Sequence, residues 1–171
     1  MPSTSDLVSE DAATDQPWLG TTVPSLLPAA WDEIERHKWI ESEKARRDVG
    51  QAAVADWLKR FWWRFCRWRR IEHVEGVCRW YEFSHQDFAK LMRPIFENDR
   101  LMLVILELMK TDRRRVMNDL EVIEWARDAG VPMERVIEIL TEIHINVARL
   151  DPPVEWVRRT HASLSNLTLD S

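Results

Sequence analysis

The apolar residues of this chain recur mainly at helical spacing. Residues 133–149 show the pattern most clearly, because one stripe is apolar and the opposite face is acidic. The apolar stripe consists of Val136, Leu140, Ile143 and Val147. Intervals of three or four residues between apolar positions are typical of a surface helix with one face on a core. Similar patterns predict helices over the segments 29–49, 52–75, 98–110, 112–128 and 154–163.

Two glycines indicate where the first two helices end. Gly50 is expected to break the first helix, because glycine is a poor helix former. Gly76 is expected to be the C-cap of the second helix, the position where a left-handed backbone favours glycine. The following segment, residues 77–83, is predicted to be extended or to form a short strand.

A capping pattern predicts a further helix after this segment. Ser84 is followed three residues later by Asp87, which resembles a capping box with aspartate in the glutamate position. This helix is expected to start at His85 and to be interrupted at Pro94.

Composition agrees with a helical fold. A chain of 171 residues with 45% hydrophobic residues is large enough for one domain with a real core. The chain has only four glycines, which argues against an all-β fold with many tight turns. The sequence therefore predicts an all-α bundle of about five to six helices over residues 25–163. Residues 1–24 are expected to be a disordered acidic arm, and residues 164–171 a short polar tail.

Charge is distributed unevenly along the chain. The total is −5, but residues 1–43 carry −7, residues 44–70 carry +7 and residues 71–171 carry −5. A basic segment therefore lies between two acidic ones. This asymmetry says more about partners than the total charge does.

Residues 57–70 hold the strongest concentration of tryptophan and arginine in the chain. Four of the ten tryptophans and six of the 24 lysines and arginines lie in this segment. A helical wheel separates a core face from a charged face. The predicted core face carries Val54, Trp57, Leu58, Phe61, Phe65 and Trp68. The opposite face carries Trp63 among Lys59, Arg60, Arg67 and Arg70.

Trp63 on the charged face has two interpretations. Another helix or the N-terminal arm covers it, or it is an anchor for a partner, since interface hot spots are enriched in tryptophan and arginine. The functional hypothesis follows the second interpretation. According to this hypothesis, the chain is a non-catalytic interaction or accessory protein that binds an acidic protein surface. Its binding residues are Lys59, Arg60, Trp63, Arg67 and Arg70.

Two other occupants of this basic face are compatible with the sequence. The N-terminal arm is one, since it could fold over the face and mask it. The acidic residues of the arm are Asp6, Glu10, Asp11 and Asp15. Nucleic acid is the alternative partner, with Arg113–Arg115 as additional phosphate contacts. The acidic total charge and the absence of a nucleic-acid-binding motif argue against nucleic acid.

A third hypothesis is a small helical metalloprotein or enzyme. Glu33, His37 and Glu41 recur every four residues, but one helix brings only adjacent turns to one ion, so a solvated edge is the favoured interpretation. The residue types for zinc also occur elsewhere, but their spacing of seven residues is wrong for a zinc motif. These residues are Cys66, His73, Cys78 and His85.

Three polar residues lie in apolar contexts on different predicted helices. Glu72, Glu107 and His144 could form a buried acid–base or metal site, or they could pair with arginines for structural reasons, and the second interpretation is favoured. No nucleophile elbow, phosphate loop or dinucleotide motif occurs in the chain. We therefore expect no catalysis and no cofactor.

The sequence also bears on location. Two cysteines do not make a disulfide framework, and the N-terminus lacks the pattern of a signal peptide. The longest apolar run, Leu101–Met109, is about half the length that spans a bilayer. A cytoplasmic location is therefore expected, and the sequence leaves a homo-oligomer open.

Overall fold

The structure is a computed structural model that describes residues 22–96, 99–111 and 116–167. These residues form six α-helices with several 3-10 turns and contain no strand. The helices are α1 (Leu26–Ala45), α2 (Gly50–Val74), α3 (Arg100–Lys110), α4 (Asp119–Asp128), α5 (Met133–Ile143) and α6 (Val154–Leu167). The prediction of an all-α fold with five to six helices is confirmed.

The predicted tails fall largely beyond these residues. Residues 1–21 of the acidic arm and residues 168–171 of the polar tail lie outside the described part of the chain. The tail was placed too early, because residues 164–167 continue α6.

Helices α1 and α2 pack side by side across a short connection at residues 46–49. The N-cap of α1 is Ser25, and the carboxylate of Glu82 accepts a hydrogen bond from the Leu26 amide at 2.9 Å. Helix α1 ends before the predicted residue 49, because Arg46 has a left-handed backbone with φ of 52°. Gly50 does not end a helix but begins α2, with φ of +52°.

Between α2 and α3, residues 77–83 form no strand, which was one of the two conformations predicted for them. The predicted helix from His85 is replaced by short 3-10 turns at His85–Asp87, Lys90–Met92 and Pro94–Phe96. The Ser84 side chain makes no capping bond, and Ala89 has a left-handed backbone that prevents a continuous helix. Gly76 lies directly against this turn region, since a Cβ added there would be 2.8 Å from the Ala89 Cβ.

Two helices of the C-terminal half are shorter than predicted. Helix α4 begins at Asp119, where Asn118 and Glu121 form a capping box, so the prediction of a helix over 112–128 was too long. Helix α5 ends at Ile143, because His144 has a left-handed backbone with φ of 49°. A 3-10 turn follows at Ile145–Ala148.

The buried side chains form two clusters that α2 connects. One cluster lies among α3, α4 and α5 and includes Ile71 and Val74 from the end of α2. The other is rich in aromatic residues and joins α1 to the first part of α2, with Trp156 of α6 packed against it. Helix α2 therefore belongs to both halves of the molecule, and its orientation decides which of its side chains are accessible.

Candidate functional site

The buried side of α2 differs from the predicted one by about one residue, or roughly 100° around the helix axis, over its second half. Trp62 and Cys66 are buried, whereas Phe61 and Phe65 are only partly covered. The reason lies in a distant segment: the Trp62 indole donates to the Leu150 carbonyl at 2.6 Å. The Trp62 ring also packs edge-on against Trp156 of α6.

Arg70 corrects the predicted binding face. Its side chain is fully buried, so its placement on an exposed partner-binding face was wrong. Its Nε donates to the carbonyl of Ile143 at 3.1 Å, and its guanidinium pairs with Asp87 at 2.9 Å. Ile143 is the last residue of α5, where carbonyls lack partners within the helix. Arg70 therefore holds α2 against the end of α5.

The other residues of the predicted binding face do not point to one place. Trp63 is 41% exposed, and the guanidinium of Arg149 lies 5.2 Å from the centre of its ring. Arg67 is partly buried on the same side, and burial lowers its pKa. Lys59 and Arg60 are exposed, but Arg60 turns towards α1. Trp63 is thus neither fully covered nor bare, because its own chain supplies an arginine over the ring.

A more continuous surface lies on the neighbouring side of α2, facing α1. We call it the α1–α2 groove; its open volume is about 650 Å³. Its lining residues on α1 are Glu33, Arg36, His37, Ile40, Glu41 and Lys44. Its lining residues on α2 are Trp57, Arg60, Phe61, Arg64, Phe65, Trp68 and Arg69. Sequence reasoning missed this groove, because it assigned Phe61, Phe65 and Trp68 to the core.

Aromatic rings form the floor of the groove. Trp57 is buried, and its ring centre lies 5.8 Å from that of Phe65 in an edge-on arrangement. Phe61 packs in the same manner against His37 of α1, at 5.5 Å. Edge-to-face contacts of this kind favour defined ring positions. The floor is therefore an apolar surface of fixed shape.

Arginines lie over this aromatic floor. The Arg60 guanidinium is 4.9 Å from the centre of the Phe61 ring, and the Arg69 guanidinium is 4.9 Å from that of Phe65. Cation–π contacts keep these charged groups at the edge of the groove. Arg64 lies between them on the same helix, and we find no ion pair for it among the described residues.

The charges of the groove are mostly paired, but the pairs are exposed. Arg36 contacts Glu33 at 3.2 Å, and Lys44 contacts Glu41 at 2.8 Å, all four on α1. Exposed pairs of this kind contribute little to stability, so an incoming carboxylate can replace one at little cost. The lining holds five lysines and arginines against two glutamates, and Asp56 and Glu72 beside it pair with Arg60 and Arg69. The excess of positive charge is therefore small and lies at Arg64.

Glu72 organises one end of the groove. Its carboxylate accepts hydrogen bonds from the indoles of Trp68 at 2.8 Å and Trp80 at 3.1 Å. It also accepts one from Arg69 at 2.9 Å. A carboxylate satisfied by three donors holds Trp68 and Arg69 in place. The favoured structural interpretation of Glu72 agrees with this geometry, and the signal in the sequence was the spacing of four between Trp68 and Glu72.

The proposed buried polar site does not assemble. Glu107 and His144 are both exposed, and neither contacts the Glu72 carboxylate. The α1 stripe is likewise engaged elsewhere, since His37 bonds to Asp56 of α2 at 3.1 Å. Within the ranges that the structure describes, no group of three His, Cys, Asp or Glu side chains could hold a metal ion.

Two of the four residues considered for zinc, Cys66 and His73, have structural surroundings. His73 is buried, with Nδ1 accepting from the Trp80 amide and Nε2 donating to the Ser84 carbonyl, each at 3.0 Å. Burial lowers the pKa of His73, which favours the neutral ring. Burial raises the pKa of the Cys66 thiol to about 12. Both side chains therefore serve packing and hydrogen bonding.

Among the described residues, no helix is both long and apolar enough to cross a bilayer. The structural features that bear on function are those of the α1–α2 groove described above. Comparison of the chain with protein-family models, with curated proteins and with solved structures finds no match.

Proposed function

We propose that this protein is a helical interaction protein that binds an acidic, amphipathic segment of a partner protein in the α1–α2 groove. One observation carries the proposal: the partly exposed rings of Phe61 and Phe65 lie beneath arginine guanidiniums, and the partly exposed Trp68 lines the same groove. Aromatic rings bind apolar side chains, and guanidiniums bind carboxylates in a bidentate manner. A segment with both features on neighbouring faces matches the groove. No reaction is part of the proposal.

The spacing of the floor suits a short helical or turn-containing segment. Phe61, Phe65 and Trp68 follow one another at intervals of four and three residues, so they extend over about 10 Å of helix. Apolar anchors at the same intervals on a partner helix would lie along this row. The groove is open to solvent rather than enclosed, which allows a segment to bind without threading.

The charge of the whole chain favours a short protein segment over nucleic acid. The chain carries a net charge of −5, which repels a polyanion that extends beyond the groove. A short acidic segment lies within the groove and meets mainly the residues that line it. The sequence also contains no nucleic-acid-binding motif. The additional phosphate contacts considered at Arg113–Arg115 lie outside the described residues.

Fluorescence anisotropy with a defined probe tests the proposal. The probe is a labelled synthetic amphipathic peptide of glutamate, leucine and tryptophan, and a version with lysine for glutamate is the charge control. The full-length chain is expected to bind the first peptide and not the second. Arg64→Glu is expected to weaken binding about tenfold, because it places a repulsive charge in the middle of the groove.

Arg100→Glu is the matched control variant. It makes the same charge change at an exposed position in the first turn of α3, where an acidic residue suits the helix dipole. Equal weakening by both variants would indicate a nonspecific charge effect and would overturn the proposal. Failure of the glutamate peptide to bind, or tighter binding of a labelled single-stranded oligonucleotide, would also overturn it.

A further inference from the structure

The described chain begins close to one end of the α1–α2 groove. The Pro24 carbonyl accepts a hydrogen bond from the Tyr81 amide at 3.0 Å, which fixes the position of the first described residues. Tyr81 adjoins Trp80, and the Arg69 guanidinium lies 4.9 Å from the Trp80 ring. Arg69 itself lines the groove. Residues 1–21 therefore depart from a point near this end of the groove.

The length of residues 1–21 is sufficient to follow the whole groove. The α1 side extends from Glu33 to Lys44, about 17 Å at 1.5 Å per residue. Residues 1–21, if fully extended, would span up to about 70 Å. The acidic part of the segment, residues 6–15, can thus reach every part of the groove without any change in the helices.

The composition of residues 1–21 is complementary to the groove. The segment contains four carboxylates and no lysine or arginine, whereas the groove lining carries five basic residues and two acidic ones. Leu7 and Val8 lie between Asp6 and Glu10, so apolar and acidic side chains alternate over a short distance. Trp18 and Leu19 add a second apolar pair closer to α1. This is the chemistry proposed above for the partner.

We propose that residues 1–21 bind the α1–α2 groove of their own chain and compete there with the acidic partner segment. The proposal rests on the proposed function for its consequence, which is autoinhibition. A tethered segment has an effective concentration on the order of millimolar, so even a weak contact occupies the groove for much of the time. A partner must displace this segment. The apparent affinity of the partner is therefore its intrinsic affinity multiplied by the fraction of grooves that are free.

A paramagnetic label on the segment tests the contact in the full-length chain. The label is attached at Ser9→Cys, with Cys78→Ser to remove the accessible native thiol; Cys66 is buried and does not compete. The amide NMR signals of Ile40 and Phe65 in the groove are expected to broaden. The signal of Ile137 on α5, which does not line the groove, is the internal control.

Salt and charge reversal make the test specific. Broadening at the groove is expected to fall at high ionic strength and with Arg64→Glu, since exposed charges are screened. Absence of broadening at Ile40 and Phe65, or equal broadening at Ile137, would overturn the proposal. A variant with neutral Asn and Gln at the four acidic positions of the segment is expected to lose the broadening. Ser3→Asn with Ser5→Asn keeps all four carboxylates and is its control.

The anisotropy assay separates this proposal from the proposed function. The neutral variant is expected to bind the glutamate peptide several-fold more tightly than the wild-type chain does. Peptide binding without broadening from the label would leave the proposed function intact and overturn autoinhibition. Broadening without peptide binding by the neutral variant would leave the intramolecular contact and overturn both the partner-binding function and the autoinhibition that depends on it.

Discussion

The two neighbouring sides of α2 carry similar residue types in opposite environments. On one side Trp62 and Arg70 are buried almost completely. On the other side Phe65 and Arg64 line an open groove. Tryptophan and arginine occur on both sides, so residue type alone does not decide which side binds a partner. The covering elements decide it.

The covering elements come from different distances along the chain. The buried side meets the 145–150 segment and α6, which supply the Leu150 carbonyl and the Trp156 ring to Trp62. In the described part of the chain, the groove side meets α1 along its length and Trp80 at one end, and the polar residues of α1 leave the rings partly open. A side chain with a hydrogen-bonded partner and edge-on aromatic contacts contributes to stability, whereas a half-covered ring is available for binding. Stability and binding should therefore respond to different residues.

The largest effect is expected from Trp62→Ala. The side chain is 1% exposed, so the substitution leaves a cavity and an unsatisfied Leu150 carbonyl. The free energy of unfolding should fall by about 3–5 kcal/mol in urea denaturation. Phe65→Ala is the comparison. It should lower the free energy of unfolding by less than half as much, and it should weaken peptide binding. Equal destabilisation by the two variants would contradict the distinction between the two sides.

The next effect is expected from Arg70→Met. This substitution removes the buried partner of Asp87 and the donor to the Ile143 carbonyl, and it should cost about 3 kcal/mol in the same assay. Asp87→Asn combined with Arg70→Met should cause little further loss of stability, because the Asp87 carboxylate has already lost its buried partner. Additive losses in a double-mutant cycle would show that the pair does not couple α2 to the turn segment.

His73 should make the buried side sensitive to pH. Its pKa is lowered by burial, so the stabilisation is complete above the unfolded-state pKa of about 6.5 and is lost as pH falls towards the lower folded-state pKa. The free energy of unfolding should fall by up to about 1.4 kcal/mol per pH unit in that window. The charges of Asp87, Arg70 and Arg79 also act on this ring.

Two measurements check the assignment to His73. His73→Asn should flatten the pH dependence of unfolding if the variant folds. In the wild-type chain, the imidazole NMR signal of His73 should not titrate near pH 6.5. A normal titration of this signal would contradict the buried neutral ring.

The smallest effect is expected from Trp63→Ala. The side chain is 41% exposed, and its described cation–π contact is with Arg149, so the cost should be about 1 kcal/mol. Peptide binding in the anisotropy assay should be unchanged, since Trp63 does not line the groove. A strong loss of binding in this variant would return the site to the face that was predicted from the sequence.

Local patterns were sufficient for the helical class and for several helix positions. The apolar stripe of α5 was identified correctly over Val136, Leu140 and Ile143, all of which are buried. The assignment of Val147 to this stripe was wrong. The left-handed backbone at His144 ends the helix, and Val147 is 40% exposed. Turn conformations of single residues such as His144 and Ala89 depend on contacts that periodicity does not encode.

The candidate site was predicted only in part. Arg60 belongs to both the predicted face and the groove, whereas Arg70 belongs to the core. A helical wheel correctly showed that α2 has an apolar side, but aromatic residues cover more than half of its circumference and so do not define the centre of that side. The position of a buried arginine was even less accessible, because its partner carbonyl is 73 residues away in the chain.

The sequence by itself determined that this protein is helical, that its charge is segregated, and that one helix concentrates tryptophan and arginine. These properties depend on neighbouring residues and on spacing within one helix. Only the tertiary structure decided which side of α2 is buried, since that depends on the Leu150 carbonyl, 88 residues from Trp62, and on α1 and α6. Burial is a property of what packs against a surface, and for α2 those partners are brought together only by the fold.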